Sequence, residues 1–122
     1  GATFYSRVTN PDDAIVQLFG VAVADIDPTP ELFEAINEIN RSIGFARAFW
    51  VGGQVLVEAE IWGVDVNPSN FQHACWNIAS AIDRFGPSLI EQFGGRPRFE
   101  ELKEPEYDQG ELFRANGHGP YL

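Results

Sequence analysis

A chain of 122 residues with 44% apolar content holds material for one modest core, and no second domain is expected. Its 18 acidic against 8 basic residues give a net charge of −10, with 12 acidic and 4 basic residues before residue 96, so the acidity belongs to the folded part and argues against a nucleic-acid partner. No run approaches the ~20 apolar residues that span a bilayer and no charged-then-apolar leader is present, while one cysteine, Cys75, excludes an internal disulfide and argues against structural zinc.

Residues 3–8 alternate loosely as a strand, residues 9–13 (TNPDD) are a turn cluster, and residues 15–24 are apolar and β-rich except for Gln17 and Gly20. A first hairpin is therefore predicted, with Gly20 marking a bulge or bend. Thr29 then reads as an N-cap with Pro30 at the first helical position and Glu31 in the first turn. In the helix that follows, Leu32, Ile36, Ile39 and Ile43 make one apolar face and Gly44 is the expected stop.

The next stretch, GFARAFWVGGQVLVEAEIWG, predicts a second hairpin with a two-residue Gly52-Gly53 loop. Such a loop sets Val51 opposite Gln54, so paired residue numbers sum to 105 and both faces are determined. Ala46, Ala48, Trp50, Val55, Val57, Ala59 and Ile61 form an apolar face suited to packing against helices. Phe45, Arg47, Phe49, Leu56, Glu58, Glu60 and Trp62 form the other, with Arg47 opposite Glu58 and Phe49 opposite Leu56. Three aromatics are too many for a solvated face and three charges too many for a buried one, so this face is expected to meet a partner.

Asn67 and Pro68 open a second helix, in which Phe71, Cys75, Ile78, Ile82, Phe85 and Leu89 form a core stripe. Pro87 predicts a kink, or two helical pieces with a break, and Gly94-Gly95 the end of the unit. Trp76 falls about 140° from the stripe, where a large indole calls for cover by the tail, by the N-terminal strand or by a partner. From Arg96 the sequence loses any sustained period and reads as a polar tail, loose or draped, with Phe99, Leu102, Tyr107, Leu112 and Phe113 as local anchors.

Catalytic chemistry finds little support. His73 and Cys75 lie about 160° apart on a helix, which does not suit a thiol dyad. Glu58 and Glu60 share a strand face at roughly 7 Å, but Arg47 neutralises the first and no third ligand or base is placed beside them. The aspartates at 12, 13, 25 and 27 flank turns, where local hydrogen bonding accounts for them.

The run from residue 29 to 95, with ELFEAINEIN before the hairpin, VLVEAEI as its second strand, the NPSNFQHACWNIASAIDRFGP helix and a terminal FGG, resembles the type III secretion chaperone-like domain, or YbjN (TY-Chap) group. Residues 15–27 fit as its preceding strand, whereas relatives usually open with a helix. The resemblance implies an α+β unit: a twisted antiparallel sheet of about four to five strands with two main helices on one face. It further implies a peptide-binding chaperone or regulatory adaptor, often homodimeric.

The resulting expectation is one chaperone-like domain over residues 1–95 with a C-terminal tail over 96–122, cytoplasmic, non-enzymatic, and without cofactor or metal. Its partners are a client protein or peptide and a second copy of itself, with no nucleic acid and no membrane. Phe45, Phe49, Leu56 and Trp62 would supply apolar contact, Arg47, Glu58 and Glu60 would set orientation, and Trp76 would be a hot spot for client or twin. The alternatives are a homodimeric assembly subunit without a client groove and, more weakly, a carboxylate-based hydrolase or metal enzyme on Glu58, Glu60 and His73.

Overall fold

A computed structural model describes residues 4–8 and 14–97 of the chain. The turn cluster expected at residues 9–13, with Asp12 and Asp13 in it, and the tail beyond Pro97 lie outside the described residues. The elements run β1 (Phe4–Val8), β2 (Ile15–Ala24), α1 (Pro30–Ser42), β3 (Arg47–Val51), β4 (Gln54–Trp62), a short 3-10 turn (Gly63–Asp65) and α2 (Pro68–Phe93). All strand pairs are antiparallel, in the order β1-β2-β4-β3. The helix α1 carries the chain from β2 to the far edge, so β4 returns to the centre and the fold is α+β with both helices on one side of an open sheet.

Local chemistry explains the helices. Thr29 Oγ1 accepts from Leu32 N at 3.1 Å and Asn67 Oδ1 accepts from Asn70 N at 2.8 Å, each followed by a proline at the first helical position. Helix α1 ends at Ser42, two residues before the expected glycine: Ile43 is its extended C-cap and its N–H donates to Ile39 O at 3.1 Å, leaving Gly44 outside. Pro87 does not divide α2, which runs unbroken for 26 residues. The Asp83 carbonyl that loses its donor there belongs to an exposed residue, so its unpaired oxygen lies within reach of solvent.

The second hairpin holds the predicted register, with Val51 opposite Gln54, Phe49 opposite Leu56 and Arg47 opposite Glu58. Its apolar face joins Leu18 and Val23 of β2 in packing on Leu32, Ile36 and Ile39 of α1 and on Ala74, Ile78, Ala81, Ile82 and Leu89 of α2. The irregularity expected at Gly20 lies between Val21 and Val23, where β2 slips by one residue against β4. Ala22 turns inward there, and Gly86 lets α2 approach it, since a Cβ at Gly86 would stand 3.2 Å from the Ala22 carbonyl oxygen. Three members of the expected α2 stripe are less covered than its periodicity implies. Phe71 is 39% exposed and Cys75 and Phe85 only half-buried, the fully buried positions of α2 beginning at Ala74.

Candidate peptide-binding site

The β3–β4 ladder stops before β4 does. The next pair in register would be Phe45 with Glu60, but Phe45 has a left-handed backbone (φ 59°), which turns the chain out of the sheet. In a two-residue hairpin the loop-flanking pair is hydrogen-bonded, and bonded pairs then recur at every second residue: 51 with 54, 49 with 56, 47 with 58. By that parity the main-chain groups of Glu60 and Trp62 point towards the vacated side, and among the described residues no strand pairs with them. The opposite side of β4 is fully used by β2, from Trp62 opposite Ile15 onward.

Beside this short open edge lies a groove of about 390 Å³, lined by Phe45, Ala59, Glu60, Ile61, Asn70, His73, Ala74 and Asn77. Ala59, Ile61 and Ala74 form an apolar floor, while Asn70, His73, Asn77 and Glu60 offer polar atoms at the rim. Phe45 (92% exposed), Trp62 (57%) and Val64 (93%) stand in solvent around the same end of the sheet, with Val66 and Phe71 half covered nearby in the chain. Exposed apolar side chains of this size make this end of the sheet a candidate contact surface. The carboxylate of Glu60 is held by the Gln17 amide, whose Nε2 donates to Oε2 at 3.0 Å.

The mixed hairpin face divides in two. Phe45, Glu60 and Trp62 belong to the exposed end just described, but Leu56 and Glu58 are 2% and 1% exposed and present no accessible surface in the folded chain. Glu58 is bonded to Arg47 at 3.0 Å, Phe49 is half-buried, and the Arg47 guanidinium lies 5.4 Å from the Phe49 ring centre. Trp76 is 69% exposed, but it is not among the residues lining the groove. The groove contributions of Asn70, His73 and Asn77 were not legible beforehand. Their i, i+3, i+7 spacing on α2 was the available signal, and it needed the position of α2 over the end of β4 to be read.

Among the described residues no group of three His, Cys, Asp or Glu side chains converges as a metal site. Burial holds the Cys75 thiol above its ordinary pKa, opposite to what a nucleophilic thiolate needs. No helix among the described residues is long and apolar enough to cross a membrane.

An open antiparallel sheet backed by two helices, with a free strand edge beside an apolar groove, defines a small α+β recognition domain. The family described as T3SS (YopN, CesT) and YbjN peptide-binding chaperone 1 matches residues 1–101, and the chain belongs to that family. A search of curated proteins finds no match.

Proposed function

We propose that this protein is a non-enzymatic chaperone or adaptor that holds an extended client segment along the Glu60–Trp62 edge of β4, with one apolar client side chain in the adjoining groove. The observation that carries this reading is the left-handed turn at Phe45, which ends the ladder and leaves the edge free beside the groove. Main-chain hydrogen bonds along an edge bind peptides with little regard to sequence, and the groove adds selectivity through one pocketed side chain. Glu60 and the net charge of −10 favour clients with lysine or arginine beside that side chain. The free thiol of Cys75 suits a reducing cytoplasm.

Peptides selected from a displayed random library on the immobilised protein test the site. Phe45→Asp and Trp62→Ala are expected to weaken the selected peptides about tenfold or more, the loss typical of an interface hot spot. Unchanged affinity in both variants would remove the site from this end of the sheet.

Trp76 supports a homodimer as a second reading, because an indole 69% exposed outside the groove has room for a twin subunit. Sedimentation of the unaltered chain and of Trp76→Ser over a wide concentration range decides it, and a monomer throughout would end this reading.

A further inference from the structure

Glu58 and Glu60 occupy equivalent places on β4 with unequal partners. Both point to the side of the sheet away from the helices. Glu58 lies opposite Arg47 and is bonded to it at 3.0 Å. Glu60 is exposed, and among the described residues none stands opposite it on the β3 side, since the ladder ends at Arg47 and Phe45 turns away. The Gln17 amide holds Oε2 of the Glu60 carboxylate at 3.0 Å, and among the described residues no cation lies within ion-pair distance of it. A carboxylate so oriented beside an open ladder position is placed to receive a cation from an added strand.

The bounds of the open edge determine how much of a client fits. At one end Ala46 still packs against the core, and at the other Trp62 is the last extended residue before the 3-10 turn. Client residues therefore lie opposite Glu60, Ile61 and Trp62 only. An antiparallel client exchanges main-chain bonds with Glu60 and Trp62 alone, which is too few to hold a peptide without help from its side chains. Alternation sends the client residues opposite Glu60 and Trp62 to the side away from the helices, beside those two side chains. The residue between them enters the groove floored by Ala59, Ile61 and Ala74. Strand β3 already uses this arrangement in the same ladder, where Arg47 meets Glu58 and lies 5.4 Å from the ring centre of Phe49, its neighbour on that side.

We propose that the client strand runs antiparallel to β4 and carries a basic residue opposite Glu60, directly after the residue seated in the groove and two after an apolar residue that covers Trp62. Glu60, oriented by Gln17, is the residue that sets this register. Read from the client's N-terminus, the pattern is apolar, apolar, basic, because a strand that continues β3 passes Trp62 first and Glu60 last. Arginine suits the place better than lysine, since its planar fork can reach the carboxylate oxygen that Gln17 leaves open. The pairing rests on the β4 edge being the client site.

The probes are the peptides selected from the displayed random library on the full chain. Their shared pattern is expected to read apolar, apolar, basic, and a basic residue placed before the apolar pair would overturn the antiparallel register. In the tightest peptide, replacing the basic residue by glutamine is expected to weaken binding roughly fivefold, Glu60→Gln in the protein equally so, and the two together no more than either alone. Glu60→Gln keeps an oxygen for the Gln17 amide, and the peptide change leaves the protein unaltered, so the test does not hang on a variant's folding. Selection on Glu60→Arg is expected to put an acidic residue at the same place. Independent losses, with Phe45→Asp and Trp62→Ala still weakening the peptide, would overturn the pairing and leave the edge as the site. A peptide indifferent to Phe45→Asp and Trp62→Ala, or a library without binders, would overturn the pairing and the site together.

Discussion

The Arg47 guanidinium meets the Glu58 carboxylate at 3.0 Å with the arginine half in solvent and the carboxylate 1% exposed. Such a pair is asymmetric: removing the arginine strands a buried charge, whereas removing both charges strands nothing. Arg47→Ala is expected to cost about 3 kcal/mol, the lower end for a broken buried pair because Arg47 keeps much of its hydration. Arg47→Met together with Glu58→Leu is expected to recover most of that loss. Urea unfolding of the three chains measures it, and a loss under about 0.5 kcal/mol in Arg47→Ala would show that Glu58 has other means of compensation.

Gly95 is required by its surroundings as well as by its backbone. A Cβ there would stand 2.6 Å from Val23 Cγ1 and 2.8 Å from the Ala24 carbonyl oxygen, at a φ of 91°. Gly95→Ala combines a backbone penalty of about 1 kcal/mol with an overpacking penalty of about 1 to 3 kcal/mol, so a loss of about 2 to 4 kcal/mol is expected. Gly94→Ala, with nothing within 4 Å of its Cβ, escapes the overpacking but lies at φ 87° and ψ −162°, a region essentially confined to glycine, so about 1 to 3 kcal/mol is expected. Thermal unfolding that ranks the two equally would mean the chain shifts away from Val23 at no cost.

Cys75 carries the pH dependence that burial imposes. Desolvation raises the folded thiol pKa above its ordinary value of 9.0, so the unfolded chain loses this proton first as pH rises. The contribution to stability is therefore fully present below pH 9.0, declines above it, and levels off beyond the folded pKa. The difference in stability between the unaltered chain and Cys75→Ala is expected to shrink across that interval. A difference independent of pH from 8 to 10.5 would contradict the raised pKa. Iodoacetamide should also label Cys75 more slowly in the folded chain than in urea.

Legibility followed the range of the interactions involved. The hairpin register and both N-caps were readable because each is set within a few residues: two glycines define the loop, and Thr29 and Asn67 reach only three residues ahead. The division of the mixed face was not, since alternation assigns a side to Leu56 and Glu58 but does not say what lies above them. Phe45 read as a strand residue because its register position was vacant, and only its left-handed backbone shows that the ladder has ended. Phe71 and Gly20 show the same limit: apolar periodicity cannot say where a helix outruns the sheet, nor a glycine on which side of it the bulge falls.

One long-range contact caps the outer edge of β3. Ala48 pairs across β3–β4 only through its side, so its main-chain groups face outward on the edge strand. The Asn40 amide of α1 occupies both of them: Nδ2 donates to Ala48 O at 3.0 Å, and Ala48 N donates to Oδ1 at 2.8 Å. A side chain here imitates a neighbouring strand and blocks this edge against pairing, whereas among the described residues no strand pairs with the Glu60–Trp62 stretch on the same margin. Asn40→Leu removes both bonds and leaves the main-chain N–H and C=O of Ala48, a residue 4% exposed, without these partners, so the expected cost is about 2 to 4 kcal/mol by urea unfolding. The variant also separates two binding geometries. A client held at Glu60–Trp62 should bind Asn40→Leu with unchanged affinity, whereas a client that adds to β3 should bind it more tightly, because its competitor has gone. Tighter binding would move the site along the edge to Ala48 and turn Asn40 from a fold contact into a gate.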